Sequence, residues 1–218
     1  MKNLILILIF FPLFVLSQIE NKQHNQLILR GATIINSTGA PPLGPVDIVI
    51  EKNIITKIQN VGYPGVPIND DRRPKLSKNG VEIDCEGSYV LPGFIDTHGH
   101  IGGKSQGASP DYVFKLWMSH GVTTIREPGG SLSHELKLEL KNNSEKNTII
   151  SPRIIAFSAF SSRIKSTEEA RAWVRNNAKK GSDGIKFFGA PPEIMKAAIE
   201  ENKKLGLKST AHHAQLNV

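Results

Sequence analysis

After Pro92 the sequence alternates between short apolar strands and helices, and this pattern repeats five times. Such alternation predicts a parallel sheet whose strands are joined by helical crossovers. The two candidate arrangements are an open doubly wound sheet and a closed eight-stranded barrel. An open nucleotide-binding sheet usually has a glycine-rich phosphate loop after its first strand, whereas residues 98–103 here read HGHIGG and match neither common phosphate signature.

A complete barrel of this kind needs roughly 250 residues, and the segment 92–218 is about half as long. We therefore predict an α/β fold that contains an incomplete TIM-type (β/α) barrel, with about five of its eight strands. Residues 18–91 form short alternating strands separated by Pro- and Gly-rich turns. This pattern predicts a small all-β module of the sandwich type that precedes the barrel in the sequence.

The first 17 residues have the composition of a signal peptide. Lys2 precedes an apolar run over 4–16, and Ser17 offers a small residue at the expected cleavage point. The run is shorter than the roughly 20 residues that span a bilayer. We therefore expect an exported protein, periplasmic or extracellular, with no stable membrane span after cleavage. An uncleaved membrane anchor is the alternative.

Charge and cysteine content exclude several classes of protein. The net charge is +7, but the 27 Lys and Arg residues are scattered and aromatic residues make up only 6%. This pattern is not that of a nucleic-acid-binding protein. Cys85 is the single cysteine, which excludes an internal disulfide and every Cys-only zinc site.

Two histidines follow the first strand of the barrel segment. His98 and His100 are two residues apart, so on an extended backbone both side chains project to the same side. Metal and catalytic sites of parallel α/β folds lie at the carboxyl ends of strands, where these residues are found. The pair is a candidate metal site, with Asp96 placed to orient an imidazole. The alternative is a pair of ordinary loop histidines.

Two later strands contain further candidate ligands. His212 and His213 end the fifth strand, and since neighbours face opposite ways only one can point into a barrel. Lys186 lies between Ile185 and Phe187 on the fourth strand, where a charged amine is costly unless it is paired or neutralised. It could extend to the rim, pair with a carboxylate, or react with CO2 to give a carbamate that bridges two metals.

Four segments resemble the metal-dependent amidohydrolase superfamily. Residues 92–100 (PGFIDTHGH) resemble its first-strand signature and 121–130 its second-strand segment. Residues 181–186 and 205–214 are similar to the fourth and fifth strands of the prolidase-like and imidazolonepropionase-like branch. The resemblance covers 27–218 and identifies the chain as an N-terminal fragment of such a protein.

The resemblance implies a set of metal ligands. His98 and His100 would bind the more buried metal, a carbamate on Lys186 would bridge two divalent ions, commonly zinc, and His213 would bind the second. The family's remaining histidine ligand and its catalytic aspartate would lie beyond Val218. We therefore expect no catalytic acid or base in this chain and no activity from it alone.

The implied reaction is hydrolysis of a carbon–nitrogen bond by a metal-bridged hydroxide. The substrate would be a small molecule or a dipeptide, with the amide in a peptide or a ring, and the protein could form a homo-oligomer. Arg126 and Glu127, at the end of the second strand, would meet the substrate, form an ion pair at the rim or make unrelated loop contacts.

Two other functions fit the same residues. One is an exported binding module without catalysis. The other is a mononuclear deaminase-type enzyme that uses His98, His100 and one of the C-terminal histidines, with Lys186 purely structural.

Overall fold

The computed structural model describes residues 24–130 and 132–212. The signal peptide expected at 1–17 and the candidate ligand His213 lie outside these residues. The chain forms two compact units, the first ending at Pro92 and the second beginning at Gly93.

The first unit is a single five-stranded sheet. Strand β1 is central: it pairs antiparallel with β2 and parallel with β4 and β5, while β3 pairs antiparallel with β2. The strands are β1 Gln26–Ile34, β2 Leu43–Glu51, β3 Ile54–Asn60, β4 Val81–Asp84 and β5 Tyr89–Val90, with a short 3-10 helix at Asp70–Arg72.

A buried carboxylate ties this sheet to the loop that follows β3. Asp47 is fully buried and accepts hydrogen bonds from Arg30, from Arg73 and from the backbone N–H of Gly31. Burial alone would raise the pKa of Asp47, but the bonds from Arg73 and Arg30 lower it below its ordinary value. Asp47 is therefore charged and fully paired in the folded protein.

The second unit is the predicted α/β half-barrel, a parallel five-stranded sheet in the order β10-β9-β8-β7-β6. Its strands are β6 Phe94–Asp96, β7 Val122–Glu127, β8 Arg153–Ala159, β9 Gly184–Phe187 and β10 Lys208–Ala211, and its helices are α1 Pro110–Ser119, α2 His134–Glu145, α3 Thr167–Lys180 and α4 Pro192–Lys204. A short 3-10 helix, Lys104–Gln106, precedes α1.

The helices of this unit begin and end where local chemistry requires. The side chain of Ser109 accepts a hydrogen bond from the Tyr112 N–H and caps α1. Ser166 caps α3 through the N–H of Glu169 in the same way. Gly181 ends α3 at φ +99°, a conformation that side chains disfavour. No helix in the described ranges is long and apolar enough to cross a membrane.

Strand alternation divides the side chains of this sheet between two faces. Ile125 of β7 is buried in a cluster with Phe114 of α1, so this residue faces the helices. Ile185 of β9 is buried with Val174 of α3 and also faces the helices. Residues one step along either strand therefore face the inner side of the half-barrel.

Candidate metal centre

The histidine pair lies in the turn directly after β6. The imidazole centroids of His98 and His100 are 5.7 Å apart and the rings are almost perpendicular, at 80°. With zinc–nitrogen bonds of about 2.0–2.1 Å, two rings that bind the same tetrahedral ion have centroids about 5–6 Å apart. The turn needs glycine at position 99, because a Cβ there would lie 2.7 Å from Cγ2 of Ile125. The pair therefore has the spacing of a shared cation site.

Glu127 fixes the ring of His100. Its carboxylate is 1% exposed and accepts hydrogen bonds from the backbone N–H groups of Ile101 and Gly129, both at 3.0 Å. The same carboxylate lies 3.2 Å from Nδ1 of His100. With a hydrogen on Nδ1, this ring would donate to the carboxylate and keep the lone pair of Nε2 for a metal.

The structure shows what Glu127 and Asp96 contact. Of the alternatives for Glu127 it has loop contacts, to His100 and to the backbone of Ile101 and Gly129, since it lies on the same face of β7 as Ile125. Asp96 accepts a hydrogen bond from the backbone N–H of His98 at 2.7 Å, so it stabilises the turn. The imidazole contact expected of Asp96 is therefore made by Glu127, whose face of β7 follows from the packing of Ile125 against α1.

Lys186 is buried on the inner face of β9. It is 2% exposed, and its Nζ lies 5.5 Å from the ring centroid of Phe188. Within the described ranges no carboxylate oxygen lies within 4.0 Å of that amine. Burial lowers the pKa of Lys186 below its ordinary value, and the positive charge of Arg126 lowers it further. Lys186 therefore loses its proton, and becomes a neutral amine, at a lower pH than a surface lysine does.

The same charges act on the histidine pair. Burial lowers the pKa of His98, and the charges of Lys186, His100 and Arg126 lower it further. Arg126 lies on the inner face of β7, donates from Nε to the backbone oxygen of Thr97, and has its guanidinium carbon 5.4 Å from the ring centroid of Phe157. Lys186 and Arg126 thus belong to the electrostatic environment of His98.

At the end of β10 the structure describes one of the two candidate histidines. The backbone N–H of His212 donates to the oxygen of Phe187 at 2.8 Å. Its exposed ring stacks on Phe188, with centroids 5.9 Å apart and planes inclined by 30°. His213 is not described, so its role as a ligand stays a prediction.

The described donors fit part of a metal-binding shell. Across residues 24–130 and 132–212, no three His, Cys, Asp or Glu side chains are grouped for one ion. What the structure brings together is the His98–His100 pair, with Nδ1 of His100 3.2 Å from Glu127, and the buried amine of Lys186. Two imidazoles are half of a tetrahedral zinc shell, so a divalent metal fits these residues if further ligands complete it.

Comparison with known proteins gives a family match. Residues 89–217, more than half of the chain, match the amidohydrolase family. An adenine deaminase of Bacillus subtilis (strain 168) is 37% identical over 83 residues, which are 36% of this chain and 14% of the deaminase. Molinate hydrolase superposes with a TM-score of 0.67 at 15% identity, covering 88% of this chain and 54% of that one.

A second solved structure extends the likeness. A Xaa-Pro dipeptidase with bound methionine in its active site superposes with a TM-score of 0.60 at 21% identity, over 86% of this chain and 56% of the dipeptidase. The chain thus spans about half the length of these solved structures and a smaller share of the curated relatives. At these identities the structures show a shared fold. Together with the match over 89–217, they establish that the chain belongs to the amidohydrolase family.

Proposed function

We propose that this protein is a metal-dependent hydrolase of amide carbon–nitrogen bonds whose substrate is a dipeptide or a cyclic amide. The observation that carries the proposal is the His98–His100 pair, with its 5.7 Å spacing and with Glu127 on Nδ1 of His100. Parallel α/β folds place their chemistry at the carboxyl ends of the strands, as here. The Xaa-Pro dipeptidase and molinate hydrolase among the structural relatives support a hydrolase.

Each described side chain has a distinct part in this proposal. His98 and Nε2 of His100 hold a divalent metal, zinc being the best match to imidazole donors. Such a metal, when bound, polarises a carbonyl and lowers the pKa of water. Glu127 keeps the ring of His100 in place, and Lys186, as a carbamate, adds an anionic ligand. His213, which lies outside the described residues, is the proposed ligand of a second ion.

Arg126 is the proposed contact for the substrate's own charge. It lies on the inner face of β7, and its charge acts on both His98 and Lys186. Nε is already bonded to the oxygen of Thr97, which aims the rest of the guanidinium. A guanidinium binds a carboxylate with two parallel hydrogen bonds. A dipeptide carboxylate, or an acidic group beside a cyclic amide, fits this position.

A mononuclear deaminase is the second candidate, and the 37% identity to an adenine deaminase favours it. The two differ in the need for Lys186. A deaminase with one ion uses the histidines and leaves the lysine structural, whereas the dinuclear hydrolase requires its carbamate.

The test uses the full-length protein, loaded with zinc in the presence of bicarbonate. It measures metal content and turnover of dipeptides, cyclic amides and adenine. We expect dipeptide or cyclic amide hydrolysis that is lost in His98→Ala and Lys186→Ala. His120→Ala is the matched control, since His120 is an exposed residue at the end of α1. Adenine turnover that survives Lys186→Ala would establish the deaminase instead.

We also propose that the protein is exported, on the strength of the signal-peptide pattern in the first 17 residues. N-terminal sequencing of protein recovered outside the cytoplasm should show a start close to Gln18. A retained Met1 in that fraction would contradict cleavage.

A further inference from the structure

A second buried charge lies behind the histidine pair, on helix α2. Lys137 is 3% exposed, and its Nζ donates a 2.8 Å hydrogen bond to the backbone oxygen of Phe157. A buried ammonium is costly unless an opposite charge compensates it. Burial lowers the pKa of Lys137, and the negative charge of Glu127 opposes that shift. Glu127 is thus the carboxylate that acts on this amine.

Strand pairing explains why these two charges are neighbours. Glu127 of β7 is paired with Ala156 of β8, and Phe157 is the next residue of β8. The carbonyl that holds Lys137 therefore lies one residue beyond the level of Glu127. Both side chains are on the helix-facing side of the sheet, away from Arg126. The Lys137 amine is held by the Phe157 oxygen, and in the described ranges no carboxylate oxygen lies within 4.0 Å of it, so its charge acts on Glu127 without a direct ion pair.

We propose that Lys137 is a positioning residue for the metal site: its ammonium, fixed by Phe157, holds the Glu127 carboxylate in the orientation that keeps the hydrogen of His100 on Nδ1. In this proposal the charge of Lys137 acts on Glu127, Glu127 contacts His100, and only His100 would touch a metal. This inference rests on the proposed function to the extent that His100 is a ligand.

A purely structural role is the competing explanation. In that case Lys137 only attaches α2 to β8, and its loss lowers stability without changing the site. Lys141 offers a matched control, because it lies one turn further on α2 and its Nζ is 2.7 Å from Asp183 and bonded to the oxygen of Gly181. Its side chain is 14% exposed, so Lys141→Met also removes a largely buried amine.

The first measurement is metal affinity, by titration of the full-length metal-free protein with zinc and cobalt. Outer-shell partners of metal ligands typically change affinity by about 10–100-fold. We expect Lys137→Met to weaken binding about tenfold, Lys137→Arg to restore most of it, and Lys141→Met to leave it within about threefold. Starting from Glu127→Gln, adding Lys137→Met should weaken binding no further, since both act through one contact.

The second measurement needs no metal. Nitrogen-15 chemical shifts of His100 report which ring nitrogen carries the hydrogen. We expect the Nδ1–H form in the wild type, a mixture of both forms in Lys137→Met, and the wild-type form in Lys141→Met. This readout separates positioning from stability, and it stays valid if the proposed substrate is wrong.

The possible results distinguish failure of the positioning role from failure of the proposed metal site. Unchanged zinc affinity and an unchanged His100 tautomer in a folded Lys137→Met protein would overturn the positioning role. If that variant does not fold, Lys137→Gln must weaken zinc binding while Lys137→Arg keeps most of it, or the inference is wrong. Wild-type affinity in His100→Ala would overturn the proposed metal site itself, which is a different failure.

Discussion

Replacing Glu127 by glutamine tests the orientation of His100 most directly. The amide has nearly the shape of the carboxylate but has one acceptor oxygen and one donor nitrogen. In the wild type one carboxylate oxygen accepts from Gly129 and lies 3.2 Å from Nδ1 of His100, while the other accepts from Ile101. All three partners are donors. The NH2 group of glutamine must therefore face at least one of them, and two donors cannot form a hydrogen bond with each other.

Either orientation of the glutamine has a cost. With the amide nitrogen toward Ile101, a buried backbone N–H loses its acceptor, which costs about 1–3 kcal/mol of stability. With it toward His100, the N–H of Gly129 loses its acceptor, and the ring can accept only by moving its hydrogen to Nε2. In that tautomer the lone pair is on Nδ1, which bonds the amide, and Nε2 has none for the metal. In either orientation His100 loses the charged partner that raises its basicity, so we expect Glu127→Gln to lower both stability and metal affinity, the latter about 10–100-fold.

Denaturant unfolding and zinc titration calorimetry of the same preparation measure the two effects. Asp47→Asn is the control, because it also neutralises a fully buried carboxylate with several donors, in the other unit. It should lower stability and leave zinc affinity unchanged. Wild-type zinc affinity in Glu127→Gln would refute the reasoning, since the ring would then keep its tautomer without the carboxylate.

Three further outcomes follow from the same geometry. Gly130→Ala would place a Cβ 2.8 Å from both Oε1 of Glu127 and Nδ1 of His100, so unfolding should show a loss of about 1–3 kcal/mol together with weaker zinc binding. Burial, assisted by nearby lysine charges, lowers the pKa of His134, so the unfolded state takes up the proton first as pH falls below about 6.5. Stability should therefore fall from pH 7 to pH 5, with a smaller slope in His134→Gln, in urea melts at each pH; equal slopes would contradict this. Lys186→Met should abolish any gain in zinc affinity from added bicarbonate, measured by calorimetry, and a gain that persists would exclude the carbamate.

Most of the fold could be predicted from the sequence because the patterns that specify it involve residues close together in the chain. The predicted alternation of strands and helices is confirmed, and helix ends such as those at Ser109, Ser166 and Gly181 depend only on neighbouring residues. The histidine turn was accessible for the same reason, since a two-residue spacing after a short strand requires no knowledge of distant contacts.

The support around His100 was not accessible in this way. Whether Glu127 faces the substrate side or the loop depends on which face of β7 packs against α1, and Ile125 settles that only in three dimensions. Lys137 is less visible still, because a lysine on a polar helix is normally solvated. Its burial follows from the packing of α2 on β8, not from any pattern in its own neighbourhood.

Alternation along β7 also separates opposite charges onto opposite faces of the sheet. Glu127 lies on the helix side, whereas Arg126 lies on the inner side, where its charge depresses the pKa values of both His98 and Lys186. The positive guanidinium on the inner face favours neutral imidazoles, but it also repels a divalent metal ion. A neutral Lys186 removes one positive charge from that face, and a carbamate there would add a negative one. Conversion of the Lys186 ammonium to a carbamate would therefore change the charge of the inner face by two units, from positive to negative. Metal binding in this proposal depends on Lys186 as well as on the histidines for that reason.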